Sequence, residues 1–195
     1  MAEPCQLYLN VSISRARLDE FLSHEAESAA CFDDLEQWLD RHPHRRGGMT
    51  WNELCELGQG TSAAAWVSGW SRHQRSPAWS HYDDATQTWS LGVLEFTPSR
   101  EWIVGAINVL RRVAQFKDLP GTDYLLIYEY LFQQGTVVAT VELLPGGSRI
   151  LHEPPPEHVT ADANRVMNSL LRAMDVTANY AVHRISDTDP HKRRC

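Results

Sequence analysis

At 195 residues the chain is long enough for one domain with a full hydrophobic core, so it needs no disulfide or metal staple. Its 43% hydrophobic and 22% charged residues exclude a disordered chain, and no apolar run approaches the ~20 residues that cross a bilayer. The net charge of −7 repels phosphate backbones, which argues against direct nucleic-acid binding.

The opening Met1-Ala2-Glu3-Pro4-Cys5-Gln6 has neither a positive nor an apolar leader region, so a cytoplasmic location is expected. Cys5, Cys31, Cys55 and Cys195 form no Cys-x-x-Cys pair, and thiols rather than bridges are expected. Residues 7–14 alternate Leu7, Leu9, Val11 and Ile13 with polar or smaller partners, the period-2 pattern of a half-buried strand. Leu18, Phe21 and Leu22, then Phe32, Leu35, Trp38 and Leu39, recur at helical spacing. Between Asp19 and Asp40 lie eight carboxylates and no Lys or Arg. Like charges at i, i+4 destabilise a helix by ~0.2–0.5 kcal/mol per pair, a cost that a cationic partner would offset; an ordinary solvated helix face is the plainer account. The Pro/Arg/Gly run at 42–48 reads as a loop.

Thr50 with Glu53 three residues on predicts a capping box and a short helix to Leu57. Residues 61–72 fit either a strand or a helix. Six of the seven tryptophans, Trp51, Trp66, Trp70, Trp79, Trp89 and Trp102, fall between positions 51 and 102. Residues 88–96 read as a strand, and Thr97-Pro98 as the cap and first position of a helix to Lys117 with Ile103, Ala106, Leu110 and Val113 inward. Two β-rich runs, 124–132 and 136–144, predict a hairpin turning at Gln134-Gly135. A last helix is expected over 160–174 with Val166, Leu170, Leu171 and Met174 inward, followed by a short strand through Tyr180, Val182 and Ile185. The expected architecture is therefore α+β: a mainly antiparallel sheet with helices packed on one face, in the order β-α(α)-irregular-β-α-β-β-α(β), over residues 1–186, with a frayed basic tail at 187–195.

Candidate chemistry is sparse. With Phe132 opposite Val137, Glu129 and Glu142 become diagonal neighbours on one sheet face, able to share a proton or hold a divalent cation; polar surface positions are the alternative. Glu95 is a third carboxylate of that kind. Cys31, His42, His44 and Cys55 are zinc-ligand types, but their flanking gaps are too long for the usual paired spacing. His73, His81, Asp83 and Asp84 with Ser71, Ser76 and Ser80 hold the ingredients of a triad without a nucleophile elbow. Gly58-Gln59-Gly60-Thr61-Ser62 lacks the lysine of a phosphate loop, and Lys117 and Lys192, the only lysines, do not follow a carboxylate in a strand as restriction-type nucleases require. No catalytic residue, metal or cofactor is assigned.

The opening strand, the acidic helix, the Trp-rich middle, the run Leu91-Gly92-Val93-Leu94-Glu95-Phe96-Thr97-Pro98-Ser99-Arg100-Glu101-Trp102 and the Tyr128-Glu129-Tyr130 hairpin together resemble the immunity proteins encoded beside bacterial polymorphic and type VI secretion toxins. The likeness is closest to the group that accompanies DNase toxins of the restriction-endonuclease type. It implies a non-catalytic cytoplasmic protein that occludes a cognate toxin with a basic surface, with neither nucleic acid nor membrane as partner. Asp33, Asp34, Glu36 and Asp40 are the expected steering residues, and Trp66 and Trp70 the expected anchors. A small enzyme using Glu129 and Glu142, or an adaptor or small-ligand-binding protein, is the alternative.

Overall fold

A computed structural model describes residues 5–29, 32–42, 48–72, 78–96, 99–129 and 137–186, with side chains to Arg172 in the last helix. The expected Thr97-Pro98 cap, the Gln134-Gly135 turn and the 187–195 tail lie outside the described residues. Six strands, β1 (Cys5–Ser12), β2 (Ala78–Asp83), β3 (Thr88–Phe96), β4 (Asp123–Glu129), β5 (Val137–Leu144) and β6 (Gly147–Leu151), form one sheet in the order β2-β3-β1-β4-β5-β6. Every pairing is antiparallel. The helices are α1 (Arg15–Ser23), α2 (Asp33–Arg41), α3 (Trp51–Glu56), α4 (Ala63–Arg72), α5 (Arg100–Leu110), α6 (Val113–Phe116) and α7 (Glu157–Ser186). The α+β class and the antiparallel sheet are as expected.

β1 holds the centre, flanked by β3 and β4, and is buried more fully than its alternation predicts. Leu7, Leu9 and Val11 enter the main core with the residues of α1 to α6, while Tyr8, on the other face, is buried with Leu94, Leu126 and Tyr128 beneath Ala163 and Met167 of α7. The second face of the sheet is thus covered by α7 rather than left to solvent. Gly92 of β3 permits the contact: a Cβ there would lie 3.1 Å from Leu170 Cδ1 and 3.3 Å from Met167 Cε.

Several local expectations are corrected. Residues 63–72 take the helical one of the two readings left open, while β2 and β6 are additional strands at the two edges. The 97–117 helix starts after an N-cap at Ser99 and breaks into α5 and α6 at Arg111 and Arg112. The expected strand through Tyr180, Val182 and Ile185 is instead the continuation of α7. Of the α7 residues predicted inward, Val166, Leu170 and Leu171 are half-buried; Val159, Ala163 and Met167 go deepest, and the Met174 side chain lies outside the described residues.

The α5–α6 break brings two arginines into the interior, and Arg111 is the better satisfied. Its side chain is 0% exposed, and Nη1 and Nη2 donate to Asp34 Oδ1 and Oδ2 at 2.9 Å. Nε donates to Ser148 Oγ at 3.0 Å and Nη2 to the Ser148 carbonyl at 3.1 Å, while the guanidinium lies 4.0 Å from the centre of the Phe32 ring. Asp34 also accepts the Ile150 N–H at 2.6 Å, so this one pair joins α2, the end of α5 and β6. A buried cation stripped of its anion costs about 3–5 kcal/mol, whereas removing both charges is often close to neutral. The Asp34 side chain is 24% exposed, so the pair is asymmetric. Asp34→Ala, which strands Arg111, is expected to lower stability by about 3–5 kcal/mol in urea unfolding, and Arg111→Met by clearly less; equal losses would refute the asymmetry.

Candidate functional site

Two regions hold the residues with functional potential: the outer surface of the helical layer, and a cleft where α7 leaves the sheet. On α2, burial of Leu35, Trp38 and Leu39 turns Asp33, Glu36 and Asp40 outward at i, i+3 and i+7, a single exposed stripe. Asp34 does not join them. As a steering residue it is a correction, because its carboxylate is bound to Arg111 and the Ile150 N–H. The acidic run is diluted elsewhere too: Glu20 pairs with Arg17, and Glu27 lies 3.9 Å from buried Arg112, which also donates to the Glu27 and Ser28 carbonyls.

The tryptophans separate clearly. Trp70 is only 8% exposed and meets Phe96 edge-on at 5.7 Å, so it is a core residue and the expectation of an anchor is corrected. Trp66 is half-buried, lying 5.6 Å from Trp70 and 5.1 Å from Trp102. Gly105 makes its seat, since a Cβ there would come within 2.7 Å of the Trp66 ring. Trp102, on the first turn of α5, is 53% exposed. The sequence reading missed it, although the helical period that turns Ile103, Ala106 and Leu110 inward is the signal that turns Trp102 out.

The paired carboxylates do not meet. Glu129 aligns with Cys5 on β1, whereas Glu142 aligns with Tyr124 on β4 and with Arg149 on β6. Tyr124 and Glu129 are five positions apart, an odd number, so the two carboxylates sit on opposite faces and about 17 Å apart along the strand. Arg149 Nε donates to Glu142 at 2.5 Å. Glu95, on β3, is separated from β4 by β1.

The other candidate clusters serve the fold. Cys31 and His44 lie outside the described residues; Cys55 is in the core, and His42 stacks on Trp38 with Nδ1 bonded to the Trp38 carbonyl. Among the described residues no group of three or more His, Cys, Asp or Glu is arranged to hold a metal. His73 and Ser76 also lie outside the described residues. Ser80 accepts from Trp89 Nε1, Ser71 donates to the Val67 carbonyl, Asp83 accepts the Ala85 N–H, and His81 stacks on Trp79. The glycine-rich 58–62 segment joins the chain after α1, with Gly60 N–H donating to the Ala26 carbonyl and Ala26 N–H to the Thr61 carbonyl. Lys117 is buried and pairs with Asp123 at 2.8 Å.

The cleft, of about 330 Å³, is lined by Tyr8, Asn10, Thr122, Asp123, Tyr124, His158, Val159 and Asp162. The Tyr8 hydroxyl donates to Asp162 Oδ2, and Arg165 donates to Oδ1 from the next turn of α7. Tyr124 and His158 meet edge-on at 6.3 Å. Sequence reading gave no hint of this cleft, whose lining residues are brought together from β1, β4 and α7.

No protein-family profile matches the chain, and comparison with curated proteins and with solved structures gives no match. No helix among the described residues is long and apolar enough to cross a membrane.

The Tyr8–Asp162 contact carries a pH signature. Burial pushes the Tyr8 phenol well above its usual range, reinforced by the hydrogen bond to Asp162 and by the Asp162 charge. Burial raises the Asp162 carboxyl, but hydrogen bonds from Tyr8 and Arg165 outweigh it and hold the group below the usual carboxylate range. A carboxyl lowered by folding stabilises above its unfolded pKa of about 4 and loses that contribution as pH falls through its folded value. A phenol raised by folding stabilises below its unfolded pKa of about 10 and loses that contribution as pH rises through its folded value. Docking of α7 is therefore expected to be strongest between about pH 4 and 10, and Tyr8→Phe to cost about 1–2 kcal/mol there and flatten the alkaline decline in thermal melts. An unchanged alkaline limb would show that this hydrogen bond does not hold α7.

Proposed function

We propose that the protein is a non-catalytic binding module of the immunity type, acting in the cytoplasm to inhibit a protein toxin, a nuclease with a basic surface. The observation that carries this reading is Trp102, more than half exposed at the head of an otherwise buried helix and backed by the seated ring of Trp66. A large ring more than half in solvent gains only part of its burial from its own fold, through the edge contact with Trp66, and buries much further area at little entropic cost when a partner covers it. At the other end of α5, Arg111 fixes α2 and its exposed Asp33, Glu36 and Asp40 stripe. The nine positions from Trp102 to Arg111 span about 13 Å of helix. A standard protein interface of ~800 Å² per partner, roughly 30 Å across, covers both features.

The division of labour follows from the chemistry. Exposed carboxylates attract a basic surface over a screening length of ~8 Å and raise the association rate, while a desolvated aromatic anchor slows release. The paired-carboxylate enzyme is not favoured, because Glu129 and Glu142 lie on opposite faces of the sheet.

The test is co-expression with the product of the adjacent gene, scored by growth rescue and by surface-based binding kinetics. The triple change Asp33→Lys, Glu36→Lys and Asp40→Lys is expected to slow association about tenfold or more and flatten its salt dependence. Trp102→Ala is expected to speed dissociation by about tenfold or more while costing the free protein no more than its edge contact with Trp66, about 0.5–1.5 kcal/mol. Full rescue by a protein carrying all four changes would sink the proposal.

A further inference from the structure

The cleft between β1, β4 and the head of α7 lies apart from the α2–Trp102 surface, against the element that covers the second face of the sheet. Its volume of about 330 Å³ matches the lower end of small-molecule sites. Two carboxylates, Asp123 and Asp162, line it, yet the cations that pair with them, Lys117 and Arg165, do not. The positive groups therefore approach these carboxylates from outside the cleft, and among the described residues no Lys or Arg lines its wall.

The lone pairs are not exhausted. Asp162 Oδ2 receives the Tyr8 hydroxyl, while Oδ1 takes the Arg165 donors. Asp123 Oδ2 receives Lys117 and the Ser12 N–H, leaving Oδ1 with only the 3.3 Å contact to Ser12 Oγ. Each carboxylate offers about four acceptor sites, so both keep capacity for a further N–H donor. Asn10, whose amide nitrogen donates to Ser90, adds a polar side chain to the lining. The half-buried Tyr124 ring and the exposed His158 ring supply flat apolar surface beside these acceptors.

We infer that this cleft binds a small planar organic cation, an amidinium or guanidinium group on an apolar body. Such a group presents N–H donors in one plane to carboxylate oxygens and lays its body on an aromatic ring, where cation–π attraction adds to the hydrogen bonds. An anion of the same shape meets the like charges of Asp123 and Asp162 and is disfavoured.

The matched probes are benzamidine and benzoate, titrated separately into the ¹⁵N-labelled full-length protein. Benzamidine is expected to give saturable amide shifts confined to residues around Asn10, Tyr124, His158 and Asp162, and benzoate none. His158→Lys, at an exposed position, brings a positive charge to the cleft and is expected to weaken benzamidine binding at least about tenfold with an unchanged melting temperature. Asp162→Asn, read alongside its own melt, is expected to weaken binding similarly. Equal binding of benzoate, no saturable response, or unaltered affinity in His158→Lys overturns the assignment. So does markedly tighter binding of an arginine tripeptide, which would make the ligand a protein side chain instead of a small molecule. The toxin-binding test involves other residues and another face, so the two proposals fail separately.

Discussion

Two arginines turned into the interior set the terms for the helical layer. Desolvating a guanidinium costs several kcal/mol, and only a nearly complete set of acceptors brings that cost down. Arg111 finds it in Asp34 and the face of Phe32 at the start of α2 and in Ser148 of β6, two separate pieces of chain. Arg112 finds the Glu27 and Ser28 carbonyls in the segment between α1 and α2. The α5–α6 junction is thus a hub whose geometry the α1–α2 region must match. Part of the negative charge near the N-terminus belongs to the fold and not to a partner. The exposed α2 stripe is what remains after that internal use.

The same logic separates the two faces of the sheet. The first face is held by a large apolar cluster in which position is enforced by volume. The second is a smaller cluster beneath α7, supplemented by the Tyr8–Asp162 hydrogen bond at its margin. With less area to hold it, α7 depends more on that polar contact. This is why docking of the helix is expected to depend on pH, and the polar cleft lies at its head. Gly92 belongs to the same economy, because a side chain there would lift Met167 and Leu170 from the sheet.

What was legible in the sequence was local. The Thr50–Glu53 capping box appears as read, with Glu53 N–H donating to Thr50 Oγ1 and Thr50 N–H to the Glu53 carboxylate. The cores of α1, α2 and α5 follow from helical spacing. What failed depended on partners distant in sequence. The β4–β5 register puts Tyr128, not Phe132, opposite Val137; a bulge between Ile127 and Tyr128 accounts for one of those four positions and the remaining three run along the whole pairing, a displacement of which alternation alone contains no record. The edge strands β2 and β6 are short and polar, so their identity comes from β3 and β5 beside them. Asp34 looked like its neighbours Asp33 and Glu36 because nothing nearby announces an arginine 77 residues away.

These errors bear directly on function, since every candidate that relied on side chains meeting across the chain changed. Glu129 and Glu142 parted, Trp70 entered the core, and Asp34 became a structural anion. Asp33, Glu36 and Asp40 lie exposed on one helix face, and the same facing rule turns Trp102 outward. Exposure without internal duty is therefore the better guide in this chain than residue type. A carboxylate bonded to a buried arginine cannot leave it for a partner without exacting the full desolvation cost, while an exposed one is available at the price of its own hydration. Asp33 and Glu36 on α2 and the more than half-exposed ring of Trp102 are the groups whose exposure leaves them open to a partner. The two cleft carboxylates are open only in part: each is already held by a cation, and what each has left to offer is acceptor capacity directed at a donor in the cleft.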